Sequence, residues 1–300
     1  TPGTVLDDHM LDPKSDQLIV SIFISKTEVG LAALDISTGA FKITQFNDYM
    51  TGSPLADELL KLAPKEILIP ETLMDQPKPW LPLGDPFLHS WEDWTYSHSE
   101  AVRNLLSHFK TQSLEGFGCE NMNHGISAAG ALIHYLHETQ KSALEHINSI
   151  SPFYTHDYMA LDQSTVTSLE LIQSSEGTRK NSLLNLIDES CTPMGARRIR
   201  EWIIKPLIDS EKIKARLEIV SIFKSLPLNR QETRDLLKKI FDLERLLGKI
   251  TLSVCNARDL VSLKYSIGTF PDLYKALEKC EPHRLSAYLE RWDNLGELYD

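Results

Sequence analysis

Hydrophobic residues along this 300-residue chain gather in short runs divided by polar turns in its first quarter and follow a period near 3.6 in its second half. Residues 18–25, 29–36 and 40–46 are rich in Ile, Val and Phe and read as three strands. Lys26-Thr27-Glu28 and Ser37-Thr38-Gly39 separate them, and connections that short force an antiparallel meander. Residues 54–63 place Leu55, Leu59 and Leu62 on one side of a helix, and 66–69 form a short strand closed by Pro70. A helix between strands predicts an α/β sheet with a parallel addition to the meander. From 75 to 96 no period holds: Pro77, Pro79, Pro82 and Pro86 surround Trp80, Trp91 and Trp94. This stretch reads as a long loop whose tryptophans pack on the sheet. Ser97 and Glu100 have the spacing of a capping box, opening a helix with Val102, Leu105, Leu106 and Phe109 on its apolar face.

The glycine-bearing stretch 114–121 breaks the periodicity and places a domain boundary there, with a first domain over 1–120 and a second over 121–300. The second domain opens with a long helix over 126–150, carrying Ala129, Ile133, Leu136, Leu144 and Ile147 on one face. Short strands are expected at 158–161 and 169–172, around a helical turn capped by Asp162, with a short helix at 183–187. Thr192-Pro193 is a helix start: the hydroxyl caps, and the proline occupies the first turn, where its missing N–H costs nothing. That helix runs to Lys205 before Pro206. Gly195, Ile199, Trp202 and Ile203 define its expected buried face, with the glycine admitting a close backbone approach. Leucine at Gly195 is therefore expected to overpack at a cost of roughly several kcal/mol. Further apolar stripes, each read as packing, mark helices through 213–223, 236–240, 243–250 (capped by Asp242), 256–267 (opened by Asn256), 271–280 and 284–299.

Composition adds boundaries rather than chemistry. The chain is 42% hydrophobic and 24% charged, the balance of a globular protein of about two domains. It contains no apolar run near 18 residues and no basic-then-apolar start, so neither a membrane span nor a signal peptide is expected. A first residue of Thr rather than Met points to a piece of something longer. Cys119, Cys191, Cys255 and Cys280 have no regular spacing, which fits a reduced, cytoplasmic protein. The net charge of −11 is uneven: residues 1–115 hold 8 Lys and Arg against 17 Asp and Glu, the remainder 23 against 25. The first part is thus a poor surface for nucleic acid, whose affinity is dominated by phosphate neutralisation.

Candidate chemistry is sparse. Asp7, Asp8, Asp12 and Asp16 lack the glycine and glutamate of an EF-hand loop and read as a solvated linker. His134 and His137 are one turn apart, but Glu138 is misplaced for H-E-x-x-H, so these, His124 and His146 read as solvent-facing or helix-capping residues. The tryptophans sit in an acidic region, unlike a basic stacking platform. The most basic region contains Arg179, Lys180, Arg197, Arg198, Arg200 and Lys205, interspersed with Glu176, Asp188, Glu189 and Glu201. A salt-bridged face explains it, with contact to DNA or to the other domain as the functional reading. No residue is assigned a catalytic, cofactor-binding or metal-binding role.

The residues LD, SLEL, SLL, ID, TPMGARR, W and PL at fixed offsets between 161 and 207, with LEGFGCEN, AAGALIHYLHETQKSALEHI, DLERLLGKI and NARDLVSLKYSI, resemble the DNA mismatch-repair family MutS over almost the whole chain. The resemblance implies a ribonuclease-H-like connector, an α/β unit, followed by the first part of a mainly helical core with a small sheet. It implies a parent that is a homodimer binding mismatched duplex DNA and using ATP and magnesium, and a connector that contacts MutL. The piece itself is expected to be a monomer that relays signals and is not an enzyme. No G-x-x-x-x-G-K-S/T occurs; at Gly248-Lys249-Ile250 the hydroxyl is missing and Leu243 replaces the first glycine. The family's mismatch-reading Phe-x-Glu is absent too. Ser168 stands where the family usually has Asn. Two other readings stay open: a ribonuclease-H-like nuclease, which would need carboxylates such as Asp35 converging on metal ions, and a stand-alone helical interaction scaffold.

Overall fold

The computed structural model describes residues 12–26, 28–47, 53–81, 86–140, 144–280 and 282–299. Asp7, Asp8, Thr27 and Pro82 lie outside them. Strands β1 (Leu18–Ser25), β2 (Glu28–Asp35) and β3 (Ala40–Asn47) form the antiparallel meander, in register from Leu18 opposite Asp35 to Ser25 opposite Glu28. Helix α1 (Ser53–Leu62) crosses to β4 (Glu66–Pro70), which pairs parallel to β1. Both faces of the sheet are covered, which is why its strands read as near-continuous apolar runs. Val20, Ile22, Leu31, Ala33 and Ile67 pack under α1 with Trp80, while Ile19, Ala32, Leu34 and Ile43 face the opposite layer.

The stretch expected to be a loop contains a strand, β5 (Phe87–Trp91), parallel to β4 from Glu66 opposite Phe87 to Pro70 opposite Trp91. Its FLHSW sequence has no apolar period of its own; pairing with the buried β4 defines it. The tryptophans divide. Trp80 is buried, Trp91 packs edge-on to Tyr135 with ring centres 5.0 Å apart, and Trp94 is half exposed. Helix α2 (His98–Phe109) begins after Ser97, but the Ser97 side chain makes no capping bond, and Glu100 pairs with Arg103 instead of reaching back.

Helix α3 (Asn123–Thr139) corrects the expected boundary at 120. It lies on β1, β2 and β3 and alongside α2, and its buried residues share one core with Ile19, Leu34 and Ile43. Small residues permit this approach. A Cβ at Gly30 of β2 would fall 1.9 Å from the His124 carbonyl oxygen, and one at Gly130 would fall 2.3 Å from Cα of Ala101 on α2. The helix stops at Gln140 rather than near 150, yet Leu144, Ile147 and Ile150 still complete the sheet's core. Strand β6 (Ser151–Pro152) then pairs parallel to β3, giving the order β5-β4-β1-β2-β3-β6. The α/β unit therefore extends through residue 152. Amphipathic spacing shows that a helix has a buried face but not which core receives it.

Beyond the sheet the chain is helical: α4 (Gln163–Ser168), α5 (Leu183–Ile187), α6 (Pro193–Ile204), α7 (Ser210–Ser225), α8 (Pro227–Leu237), α9 (Leu243–Thr251), α10 (Ala257–Gly268), α11 (Phe270–Glu278), α12 (Pro282–Leu289) and α13 (Gly296–Tyr299). The caps follow the sequence signals. Asp162 accepts from the Thr165 amide, Asp242 from Arg245, and Asn256 and Asp259 complete a capping box. The small sheet expected at 158–172 is reduced to one bridge between Tyr158 and Leu207. Residues 169–172 do not extend: Glu170 takes a left-handed φ of 48°, the Leu169 and Leu171 amides turn back to the Thr165 and Val166 carbonyls at 3.0 and 3.1 Å, and the Glu170 and Leu171 carbonyls accept from the Leu183 and Leu184 amides, each at 2.9 Å. The last expected helix is split into α12 and α13. The stripe on α7 is uncovered, with Leu217 60% and Val220 58% exposed.

The fit of α3 gives a stability test. A Gly130→Ala substitution gains helix propensity but drives a methyl into Ala101, and we expect a net loss of about 1–3 kcal/mol. Urea unfolding measures it, and an unchanged or raised midpoint would exclude the close contact.

Candidate functional site: the junction between sheet and helices

The helix that begins at Thr192 stands where the two parts of the chain meet. The Thr192 hydroxyl accepts from the Gly195 amide at 3.1 Å, with Pro193 in the first turn. Its inward face differs from the one expected. Ala196, Arg197 and Ile204 are buried, whereas Trp202 is 42% exposed and stacks under Arg216, whose guanidinium carbon is 3.9 Å from the ring centre. Nor does Gly195 admit another backbone. A Cβ there would meet its own cap, Thr192 Oγ1 at 3.1 Å and Ser190 Cβ at 3.5 Å, so the overpacking expected for leucine loses its basis.

Arg197 is only 6% exposed and organises the junction. Its guanidinium donates two bonds to Asp242, at 2.7 and 2.9 Å, one to Glu244, and one to the Pro13 carbonyl at 3.2 Å. The same Asp242 caps α9. Arg245, also buried, donates to the carbonyls of Asp12 at 3.1 Å and Ser15 at 2.7 Å. Two arginines thus tie α6 and α9 to the segment leading into β1. The α9 backbone then rests on the turn between β2 and β3: a Cβ at Gly248 would lie 2.1 Å from the Ser37 carbonyl oxygen. Asp35 builds that turn, accepting from the Ser37 amide at 2.8 Å, the Ser37 hydroxyl at 2.6 Å and the Gln17 amide at 3.0 Å.

A second set of contacts reaches α1. Lys205 donates to Glu58 at 3.0 Å and lies 4.6 Å from the ring centre of Phe153, and Arg200 donates to the Lys61 carbonyl at 3.4 Å. Lys42 of β3 pairs with Glu201 at 3.3 Å, and the Gln163 amide donates to Asp57 at 3.1 Å. Leu60 joins Leu161, Val166, Leu171 and Ile203 in a small apolar cluster. Between these sets lies a cleft of about 290 Å³, lined by Asp16, Asp35, Lys42, Arg197, Arg200 and Glu201 among others.

The six basic residues singled out in the sequence therefore separate. Arg197, Arg200 and Lys205 face the junction. Arg198 is exposed and pairs with Glu201 at 2.8 Å along its own helix. Arg179 is bound to the buried Asp188 carboxylate, which also takes Lys14 at 3.0 Å, and Lys180 is exposed. Sequence reading missed Arg245, Gly248, Lys42 and Glu58. The available signal was the DLER stretch, where an N-cap carboxylate is followed by an acid and an arginine within one turn.

Charge is tightly constrained here. Burial opposes the charge on Arg197, but the hydrogen bonds it donates to Asp242 and Glu244 and their charges raise its pKa above the ordinary arginine value. Burial lowers Arg200, with Asp16 opposing. Burial and the neighbouring Asp35 raise Asp16, against Arg200, Arg197 and Lys42. For Asp188, burial acts upward, but hydrogen bonds from Ser190 and Lys14 outweigh it and hold the carboxyl at about 2.

What these contacts form is a charged joint between an α/β unit and a helical one. Comparison with known proteins gives its family. Residues 17–148 match the family model of MutS domain II and residues 164–298 that of MutS domain III. Among curated relatives, the DNA mismatch repair protein MutS of Alkaliphilus metalliredigens is 40% identical over 304 residues, covering all of this chain and 34% of that protein. Those of Halothermothrix orenii and Symbiobacterium thermophilum are 41% identical over 303 residues and 37% over 303. The chain belongs to the MutS family of DNA mismatch-repair proteins. It spans about a third of the length of the curated relatives it matches, 33% and 35% of the latter two. Among the described residues no helix is long and apolar enough to cross a membrane.

Two measurements probe the joint. Arg197→Met removes the cation that binds Asp242 through two bonds and leaves Arg245 Nε, at 3.8 Å, as its ion-pair partner, and removing one partner of a buried ion pair costs about 3–5 kcal/mol; denaturant unfolding should register a loss of that order, and a loss below about 1 kcal/mol would show the network to be dispensable. For Asp188, the folded carboxyl at about 2 lies below its ordinary 3.8, so its ionised form stabilises the fold above that ordinary value, and this contribution is lost as pH falls from about 4 to 2. The stability difference between native protein and Asp188→Asn should be constant above about pH 5 and shrink through that window. A difference independent of pH would rule the assignment out.

Proposed function

We infer that this chain is the connecting section of a mismatch-binding ATPase, carrying signals between DNA-contacting parts and a nucleotide-binding part of the full-length protein. The observation that supports this reading most is the composition of the joint. The α/β unit has its own apolar core, and apart from Leu252 and the Leu60 cluster the contacts between the units are chiefly polar: Arg197 with the Pro13 carbonyl and Asp16, Arg245 with the Asp12 and Ser15 carbonyls, Lys205 with Glu58 and Lys42 with Glu201. Domains joined through polar contacts move relative to one another more readily than domains fused through a large apolar interface. Ion pairs with fixed geometry are satisfied at one placement and broken at another, which favours two discrete arrangements over gradual deformation.

In this reading the full-length protein is a homodimer acting in the cytoplasm on duplex DNA containing mismatches, and ATP and magnesium bind outside this section. The α/β unit offers a surface to MutL; its excess of acidic residues suits a protein partner better than DNA phosphates. Contact with DNA within the section falls to Lys180 and Arg198, whose side chains reach solvent. A nuclease reading finds no support in Asp35, whose carboxylate is already occupied by the amide and hydroxyl of Ser37 and the amide of Gln17.

The test uses the full-length protein with Lys205→Met, which weakens the joint at its edge, and Arg197→Met, which breaks it at the centre. Binding of mismatched DNA without nucleotide should stay close to native, while the change in ATP turnover caused by a mismatch should shift by roughly 2- to 30-fold. Native coupling in both variants would reject the relay role.

A further inference from the structure

The ends of α2 and α3 bring two imidazoles together, a meeting that neither helix announces in its sequence. His108 lies in the last turn of α2 and His137 in the last turn of α3. Nδ1 of His108 is 3.2 Å from Nε2 of His137, and Nε2 of His108 is 2.7 Å from the Ile147 carbonyl oxygen. A carbonyl only accepts, so Nε2 of His108 carries the proton and Nδ1 directs a lone pair toward His137. A histidine anchored through one nitrogen by a backbone carbonyl, with the other free to ligate, is the usual outer-shell arrangement of a metal-binding imidazole.

The separation fits as well. Two nitrogens 3.2 Å apart, each about 2.0–2.1 Å from a zinc ion, subtend an angle of about 100° at the metal, between the tetrahedral and octahedral values. Without metal, Nε2–H of His137 donates to Nδ1 of His108; a metal ion bound by both nitrogens sits to one side of the line joining them, so His137 takes its other tautomer and the two rings turn to aim their lone pairs at it. The scaffold is rigid, since α2 and α3 pack along their length around Ala101, Leu105 and Gly130. A cavity of about 410 Å³ beside the pair gives access. No group of three or more His, Cys, Asp or Glu suited to a metal occurs among the described residues, so water must fill the remaining positions. Lys110, on the cavity rim, is engaged by Glu145 at 3.4 Å.

We propose that His108 and His137 form a binding site for a divalent transition-metal ion of the zinc, nickel or copper class, clamping the ends of α2 and α3. Paired imidazoles suit these ions and not magnesium or calcium, which require oxygen ligands. Because the site exists only when the helices are packed, occupancy stabilises the fold by mass action.

The experiment is a thermal-unfolding series of the 300-residue chain with nickel, zinc or magnesium chloride, paired with calorimetric titration of nickel. The native chain should melt higher with nickel and zinc but not with magnesium, and should bind one nickel ion at the site. His108→Gln and His137→Gln should each abolish the rise, while His98→Gln, at the other end of α2, retains it. His137 is exposed, so its variant folds, and melting without metal verifies this. Absence of a rise in the native chain, an equal response to magnesium, or a rise that survives His137→Gln would overturn the proposal.

Discussion

The architecture depends on satisfying one buried guanidinium. Arg197 lies on the inward face of α6, where an unpaired cation would be prohibitive, and Asp242 meets it with two parallel bonds while Glu244 adds another. That requirement positions the start of α9 against α6. With α9 placed, Arg245 captures the carbonyls of the segment before β1, Gly248 comes down on the Ser37 carbonyl, and Leu252 enters the core beneath the sheet. A lysine in place of Arg197 would carry the charge without the fork that reads two oxygens of one carboxylate.

Apolar burial and charge pairing have separate tasks in this chain. Within the α/β unit, helices close on both faces of the sheet, and small residues such as Gly30, Gly125 and Gly130 let backbones touch. Between the units, most contacts are directional and charged, with the Leu60 cluster as an apolar minority. Apolar contact tolerates sliding, whereas bidentate and capped carboxylates define one placement. Directional contacts of this kind hold the two units in one definite geometry.

Much of the local structure was legible in advance. The meander, α1, β4, the Thr192 start of α6 and the Asp162, Asp242 and Asn256 caps all follow from period, turn residues and capping side chains within a few positions of one another. Less legible was whatever depended on a distant partner. Strand β5 has no period and exists through β4; 169–172 looks like a strand but gives its carbonyls to α5. The capping box at Ser97 fails because Arg103 competes for Glu100. Helix α3 reads from sequence as part of the helical unit because its stripe is equally consistent with either core.

By itself, then, the sequence determined the elements, the order of an α/β unit and a helical unit, and, through motifs such as TPMGARR, the family. Tertiary structure decided where the first unit ends, which glycines mark backbone contacts, and what the arginines do. The reason is range. Periodicity, caps and turns are set by neighbours a few residues away, but the environment of a charge is set by everything packed around it. Arg197 and Arg198 are adjacent in sequence and carry the same group; one is enclosed by Asp242 and Glu244 and the other points to solvent, a difference made by residues more than forty positions away.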